Sequence, residues 1–188
     1  MKFDGRVVRV SSPYDTSEKV PSLTVASSEF QAGERLAPEH GSAIFEVPGG
    51  REVSPQLSWG PVPEGTKSIS VTMFDPDAPI PSGFWHWALA DLPADTTELP
   101  TGAGSGDDAL PGEAFHVPNE IGLRQYVGFG PPPGTGRHRY YFAVHALDVE
   151  SVRDLGVIPE TTPAVLHFMM RGHELARGIL QGWASADE

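Results

Sequence analysis

Glycine and proline punctuate this chain too densely for long helices. They occupy about a fifth of the 188 residues, with 21 glycines and 19 prolines. Glycine interrupts a helix through its conformational freedom, proline through its missing N–H. Between these breaks lie short runs rich in β-branched and aromatic residues, the pattern of a mainly β sandwich or barrel. Residues 22–30, 43–47, 56–59, 68–74, 84–90, 125–129 and 138–147 read as strands. The clearest is 68–74, where Ile69, Val71 and Met73 alternate with Ser68, Ser70 and Thr72, as a half-buried strand requires. Residues 138–147 are apolar on both faces apart from their start and His145, which predicts a central strand covered on both sides.

One segment carries a different period. Between Pro163 and Trp183, apolar residues recur at Val165, Phe168, Met169, Leu175, Ala176, Ile179 and Leu180, spacings that predict one long C-terminal helix. Thr162 supplies an N-cap, Pro163 the first helical position and Gly182 a stop. A shorter helical turn fits 151–155. Residues 1–21 are polar, with little to bury, and read as a loose arm outside a single domain spanning 22–188. Residues 91–112 and 131–136 form the longest turn-rich loops, and loops of that kind often carry function.

Composition removes several function classes. A formal charge of -12 repels a phosphate backbone, which disfavours nucleic acid as a partner. With no cysteine, disulfides, thiolate metal sites and a cysteine nucleophile are excluded. The chain shows neither a secretory h-region nor about 20 consecutive apolar residues, which predicts a cytoplasmic protein with no transmembrane segment. The run Gly102-Ala103-Gly104-Ser105-Gly106 fits neither a dinucleotide loop nor a nucleophile elbow. No Gly-Lys-Ser/Thr occurs, and His173-Glu174 lacks the second histidine of a zinc-protease helix.

Three pieces remain that could carry chemistry. Asp75-Pro76-Asp77-Ala78-Pro79 follows the strand 68–74 directly, so two carboxylates emerge at its end on a proline-stiffened backbone. A proline turn with solvated aspartates would look the same. Phe84-Trp85-His86-Trp87 sets a histidine among three large aromatics. Strand alternation would put His86 with Phe84 and Ala88, opposite Trp85, Trp87 and Leu89; a hydrogen-bonded core histidine is the simpler alternative to a ligand contact. The stretch from Gly128 through Gly130-Pro131-Pro132-Pro133 to His138-Arg139-Tyr140 combines glycines that let a ligand approach backbone N–H groups with a stiff proline rim. His138 and Tyr140 share one strand face beyond it. It could equally be a plain hairpin turn.

In this order and spacing the three pieces resemble the phosphatidylethanolamine-binding protein family, also called Raf-kinase-inhibitor-like proteins, over residues 22–182. The single His86, where many eukaryotic members carry paired histidines, and Met170-Arg171-Gly172-His173 resemble its bacterial branch. The resemblance implies a β-sandwich with a large central antiparallel sheet, a smaller sheet and peripheral helices. It also implies a small pocket for phosphoryl-type anions, such as the phosphoethanolamine head group, at one sheet end. Matched motif by motif, Asp75, Asp77, His86, Gly130, Pro131, His138 and Tyr140 would form that pocket, with Pro76 supporting its wall.

Against a net charge of -12, an anion needs local donors, here imidazoles, the Tyr140 hydroxyl and glycine-turn amides. A carboxylate from Asp75 or Asp77 would orient one imidazole and favour its cationic form, and the other would pair with an ammonium. The expected activity is therefore binding without catalysis, with no cofactor and no metal. The rival readings are a metal-dependent hydrolase built on the same histidines and carboxylates, and inhibition of a kinase or serine protease as a protein partner. Bacterial members also suggest a homodimer. His40, His116 and His145 read as surface or satisfied strand positions, His167 falls near the helical stripe, and His173 is placed towards the pocket mouth.

Overall fold

The computed structural model describes residues 12–188. Its elements are β1 (Ser22–Leu23), β2 (Val25–Ala26), β3 (Leu57–Trp59), β4 (Ser68–Asp75), β5 (Phe84–Pro93), β6 (Glu98–Leu99), β7 (Phe115–His116), β8 (His138–Leu147), α1 (Pro163–Met170) and β9 (Glu174–Ala184), together with short 3-10 turns. The main sheet is mixed and six-stranded, in the order β1-β9-β8-β4-β5-β7, antiparallel except where β1 runs beside β9. A three-stranded sheet, β2-β3-β6, packs on one of its faces.

The period of two in β4 decides what each face buries. Ile69, Val71 and Met73 point to the smaller sheet and join Leu57, Trp59, Leu99 and Phe142 in the main core. The opposite face is covered by α1 and the turn Val152–Leu155, whose Leu166, Met170 and Val152 pack on Ala88, Ala90 and Leu147. Two covered faces explain why β8 is apolar on both sides apart from its start and His145.

The C-terminal segment departs from the sequence expectation. The helix starts as predicted, with Thr162 accepting a hydrogen bond from Val165 N at 3.4 Å, but it stops at Met170. Gly172 (φ +81°) turns the chain, and Glu174–Ala184 forms a strand against β8. Spacings of three and four are ambiguous here, because Ala176, Gly178, Leu180, Gly182 and Ala184 also alternate and face inward. Val165 and Phe168, counted in the helical stripe, are largely solvent-exposed. Gly182 is no stop; it lies mid-strand opposite Tyr140, against Leu36.

Other boundaries also move. Residues 43–47 form turns, and 125–129 form an extended segment with a single bridge between Gly41 and Phe129. Segment 22–30 contributes two short strands. In the polar opening segment, Tyr14 is buried with Tyr141 and Ala143, so that stretch has more to bury than its composition implied; residues 1–11 of the predicted arm lie outside the described residues.

On the α1 side of the sheet, three charged or titratable side chains join in one cluster. His145 Nδ1 donates to Glu174 Oε1 at 2.5 Å, and Arg177 also donates to Glu174. Burial pushes the Glu174 carboxyl up, but hydrogen bonds and charge from His145 and Arg177 outweigh it and bring the pKa down from 4.5 to about 2.

Two outcomes test this architecture. A Cβ on Gly178 would lie 2.4 Å from Val25 Cγ2 and 2.8 Å from the Leu23 carbonyl oxygen. Gly178→Ala should therefore destabilise the fold by about 1–3 kcal/mol in urea denaturation. In a helix the same change would stabilise by about 1 kcal/mol. Because Glu174 titrates lower when folded, its contribution is present above pH 4.5 and is lost as the pH falls towards about 2. Stability measured against pH should drop across that window, and Glu174→Gln should flatten the drop.

Candidate functional site

The site begins where β4 ends. Asp75, 3% exposed, accepts hydrogen bonds at Oδ1 from the amides of Asp77 (2.8 Å) and Ala78 (3.0 Å), the pattern by which an aspartate closes a turn on itself. Its Oδ2 accepts from His138 Nδ1 at 2.8 Å. One carboxylate thus shapes the Asp75–Pro79 turn and ties it to the first residue of β8. The other nitrogen of His138, Nε2, lies 2.8 Å from Thr135 Oγ1, and that hydroxyl donates to the Pro132 carbonyl at 2.6 Å. Both His138 nitrogens therefore face oxygen atoms, one of a carboxylate and one of a hydroxyl.

His86 reaches the same place through a bulge. Met73 pairs with Trp87 and Phe74 with Trp85, so β5 carries one extra residue, His86, at this point. The bulge resets the alternation. Trp87 and Leu89 join the main core on the side of His86, and Trp85 stays on the opposite face, its ring tilted against those of Phe74 and of His167 of α1. The expected grouping of Trp85 with Trp87 is thereby corrected.

His86 Nδ1 lies 3.1 Å from the Val127 carbonyl and 3.0 Å from the Gly128 carbonyl, so it carries the proton and Nε2 holds a lone pair. Burial lowers the pKa of this ring to about 4 against the pull of Asp75 and the two carbonyls. His86 is thus neutral near pH 7, not the cationic imidazole that the sequence suggested, and His138 is the ring bonded to a carboxylate.

Around these polar groups the walls are apolar. Phe45, Phe84, Ile80 and Pro131, Pro132 and Pro133 enclose a cavity of about 480 Å³ with Asp75, His86 and His138 lining it. Of the sequence-predicted residues, Asp75, His86, Gly130, Pro131 and His138 meet here. Tyr140 is buried, its ring 5.3 Å from that of His86, with its hydroxyl beside the Gly130 backbone. Asp77 turns away: its carboxylate accepts from Arg139 Nε and Nη2, both at 2.7 Å, and from the Arg139 amide. Burial would raise its pKa, but Arg139 outweighs burial and lowers it. The glycine-turn amides are partly taken, since Gly134 and Gly136 donate to the Asp187 carboxylate.

Sequence reasoning missed Phe45, Thr135 and Glu52. Glu52, at φ +56°, binds Ser42 Oγ (2.5 Å) and the amides of Ile44 (3.1 Å) and Gly128 (2.5 Å), fastening the loop that carries Phe45 to the segment leading into Gly130. Nothing local in the sequence marks that contact. His173 is not at the pocket mouth: it pairs with Asp148, just past the far end of β8 from His138. A larger cavity, about 590 Å³, opens beneath α1 on the other face, and its Glu174 is already bonded to His145 and Arg177.

The sequence signature described as "Phosphatidylethanolamine-binding protein" matches residues 26–184. The chain belongs to this family. Among its relatives, UPF0098 protein YbhB of Escherichia coli (strain K12) is 41% identical over 156 residues, covering 82% of this chain and 94% of that protein. UPF0098 protein YbcL of the same organism is 40% identical over 161 residues, covering 85% and 86%. The crystal structure of E. coli YbcL, described as a new member of the mammalian family, superposes with a TM-score of 0.82 at 36% identity, over 88% of this chain and 99% of that one. Among the described residues, no helix is long and apolar enough to cross a membrane.

The electrostatics of this family member can be read directly. Long-range 1H–15N NMR should show His86 Nε2 with the shift of a neutral ring from pH 8 down to about 5, because its pKa is about 4. A protonation midpoint near the ordinary histidine value of about 6.5 would overturn this assignment.

Proposed function

We propose that the pocket binds a small phosphoryl-type anion without transforming it, and that a phosphoethanolamine-like head group is the best match. One observation carries the reading: an imidazole bonded to a carboxylate and an imidazole with a free lone pair line the same apolar-walled hollow. His138 can turn its Nε2–H from Thr135 to a phosphoryl oxygen, while Asp75 holds the ring in place. His86 Nε2 accepts, so it suits a donor such as an ammonium. A zwitterion supplies both partners, and it suits a chain of net charge -12 better than a bare anion does. The apolar walls accept the hydrocarbon portion of a lipid-like ligand.

The arrangement of Asp75, His138 and Thr135 has the carboxylate–imidazole–hydroxyl order of a nucleophilic triad. Two features favour binding over catalysis. The Thr135 hydroxyl donates to a backbone carbonyl and so accepts from His138, the reverse of an activated nucleophile. The neighbouring amides of Gly134 and Gly136, which could serve as oxyanion donors, are bonded to Asp187. A metal-dependent hydrolase is disfavoured on similar grounds, because both nitrogens of His138 are engaged in hydrogen bonds and neither is left to bind an ion.

Titration calorimetry should show phosphoethanolamine binding at one site, tighter than inorganic phosphate and tighter than phosphocholine, whose quaternary ammonium has no N–H for His86. His138→Ala should lose roughly 1.5–3 kcal/mol of that affinity while the protein stays folded. Equal affinity for the three ligands would rule out the paired donor and acceptor roles. Turnover of p-nitrophenyl acetate above background, lost in Thr135→Val, would revive the triad.

A further inference from the structure

A second group of polar side chains lies away from the pocket, where the turn Pro38–His40 meets the segment after β2. His40 is fully buried, and its Nδ1 lies 2.8 Å from the Val53 carbonyl oxygen. A carbonyl only accepts, so Nδ1 carries the proton and Nε2 keeps its lone pair. That Nε2 makes no hydrogen bond among the described residues. Its carboxylate neighbour is Glu29, with Oε2 at 4.0 Å. Glu39 adds a second carboxylate, and one ligand atom from each of the three residues lies within 4.8 Å of the others. Buried polar atoms are nearly always satisfied, so an idle imidazole lone pair aimed between two carboxylates calls for an explanation.

We propose that His40 Nε2, Glu29 and Glu39 form a binding site for a divalent ion of the zinc type. The ring is prepared as metal-ligating histidines are: the remote N–H is fixed on a carbonyl, which sets the tautomer and the ring plane. One nitrogen and two carboxylate oxygens favour zinc over magnesium or calcium, which take all-oxygen sets. Two carboxylates also balance the charge of the ion. Glu29 is held in place by the Thr101 hydroxyl (3.0 Å) and the Gln56 amide (2.5 Å), whereas Glu39 is exposed and free to close on the ion. The ion would join the segment after β2 to the turn at residues 38–40. The His40 carbonyl accepts from the Tyr126 hydroxyl at 2.8 Å and from the Phe129 amide at 3.2 Å, so the clamp would extend to the extended segment beside Gly130.

The test uses the full chain without an affinity tag, stripped with a chelator and titrated with zinc chloride against a chromophoric indicator. One equivalent should bind, raising the melting temperature, and zinc should move the His40 Nε2 resonance in long-range 1H–15N NMR. Glu39→Gln changes an exposed side chain, so it should fold and bind phosphoethanolamine as the parent does, yet hold zinc at least tenfold more weakly. Glu29→Gln should weaken zinc similarly. No zinc uptake would overturn the proposal. So would uptake unaffected by both substitutions, or a His40 ring protonated at Nε2 near pH 7, which would make the cluster a plain ion pair with Glu29.

Discussion

The Asp75 carboxylate organises the pocket. It holds two amides of its own turn and the Nδ1–H of His138, three donors on one group, with almost no water contact. Hydrogen bonds to a charged acceptor are about twice as strong as neutral ones, and a buried carboxylate deprived of them would be costly. The turn, the start of β8 and the orientation of the His138 ring therefore depend on each other. Removing the carboxylate would release all three together, which makes Asp75 a positioning residue more than a ligand contact.

The second constraint is the bulge at His86. A regular strand would have sent Trp87 to the helical face and left the core without one of its two tryptophans. One additional residue lets His86 point into the hollow while the tryptophan after it still fills the core. A pocket-lining residue is gained there without a packing defect. The pinned Glu52, in the left-handed region, does similar work from the other wall.

How much of this could be read beforehand depended on the range of the interaction. The strand alternation in 68–74, the shared face of His138 and Tyr140 and the capped start of α1 rest on neighbouring residues, and each is seen in the fold. The end of that helix was not legible, because the apolar residues of 174–184 satisfy helical and extended periods alike, and pairing with β8 decides between them. Motifs drew five of the seven suggested residues to one cavity. They could not show that Asp77 would be claimed by Arg139, nor that Phe45 would arrive from a loop with no signature of its own. His40 looked unremarkable because its significance lies in what Val53 and Glu29 do around it.

The main sheet ends on both sides in strands of only two residues, β1 and β7, and one of those lies parallel to its neighbour. Such short margins offer few free backbone donors and acceptors in a row, so they are poor templates for another chain to extend the hydrogen-bonded ladder. Self-association through a continuous intermolecular sheet is accordingly disfavoured. Any pairing of copies would have to use side chains on loops and faces, leaving the six-stranded layer of each molecule intact.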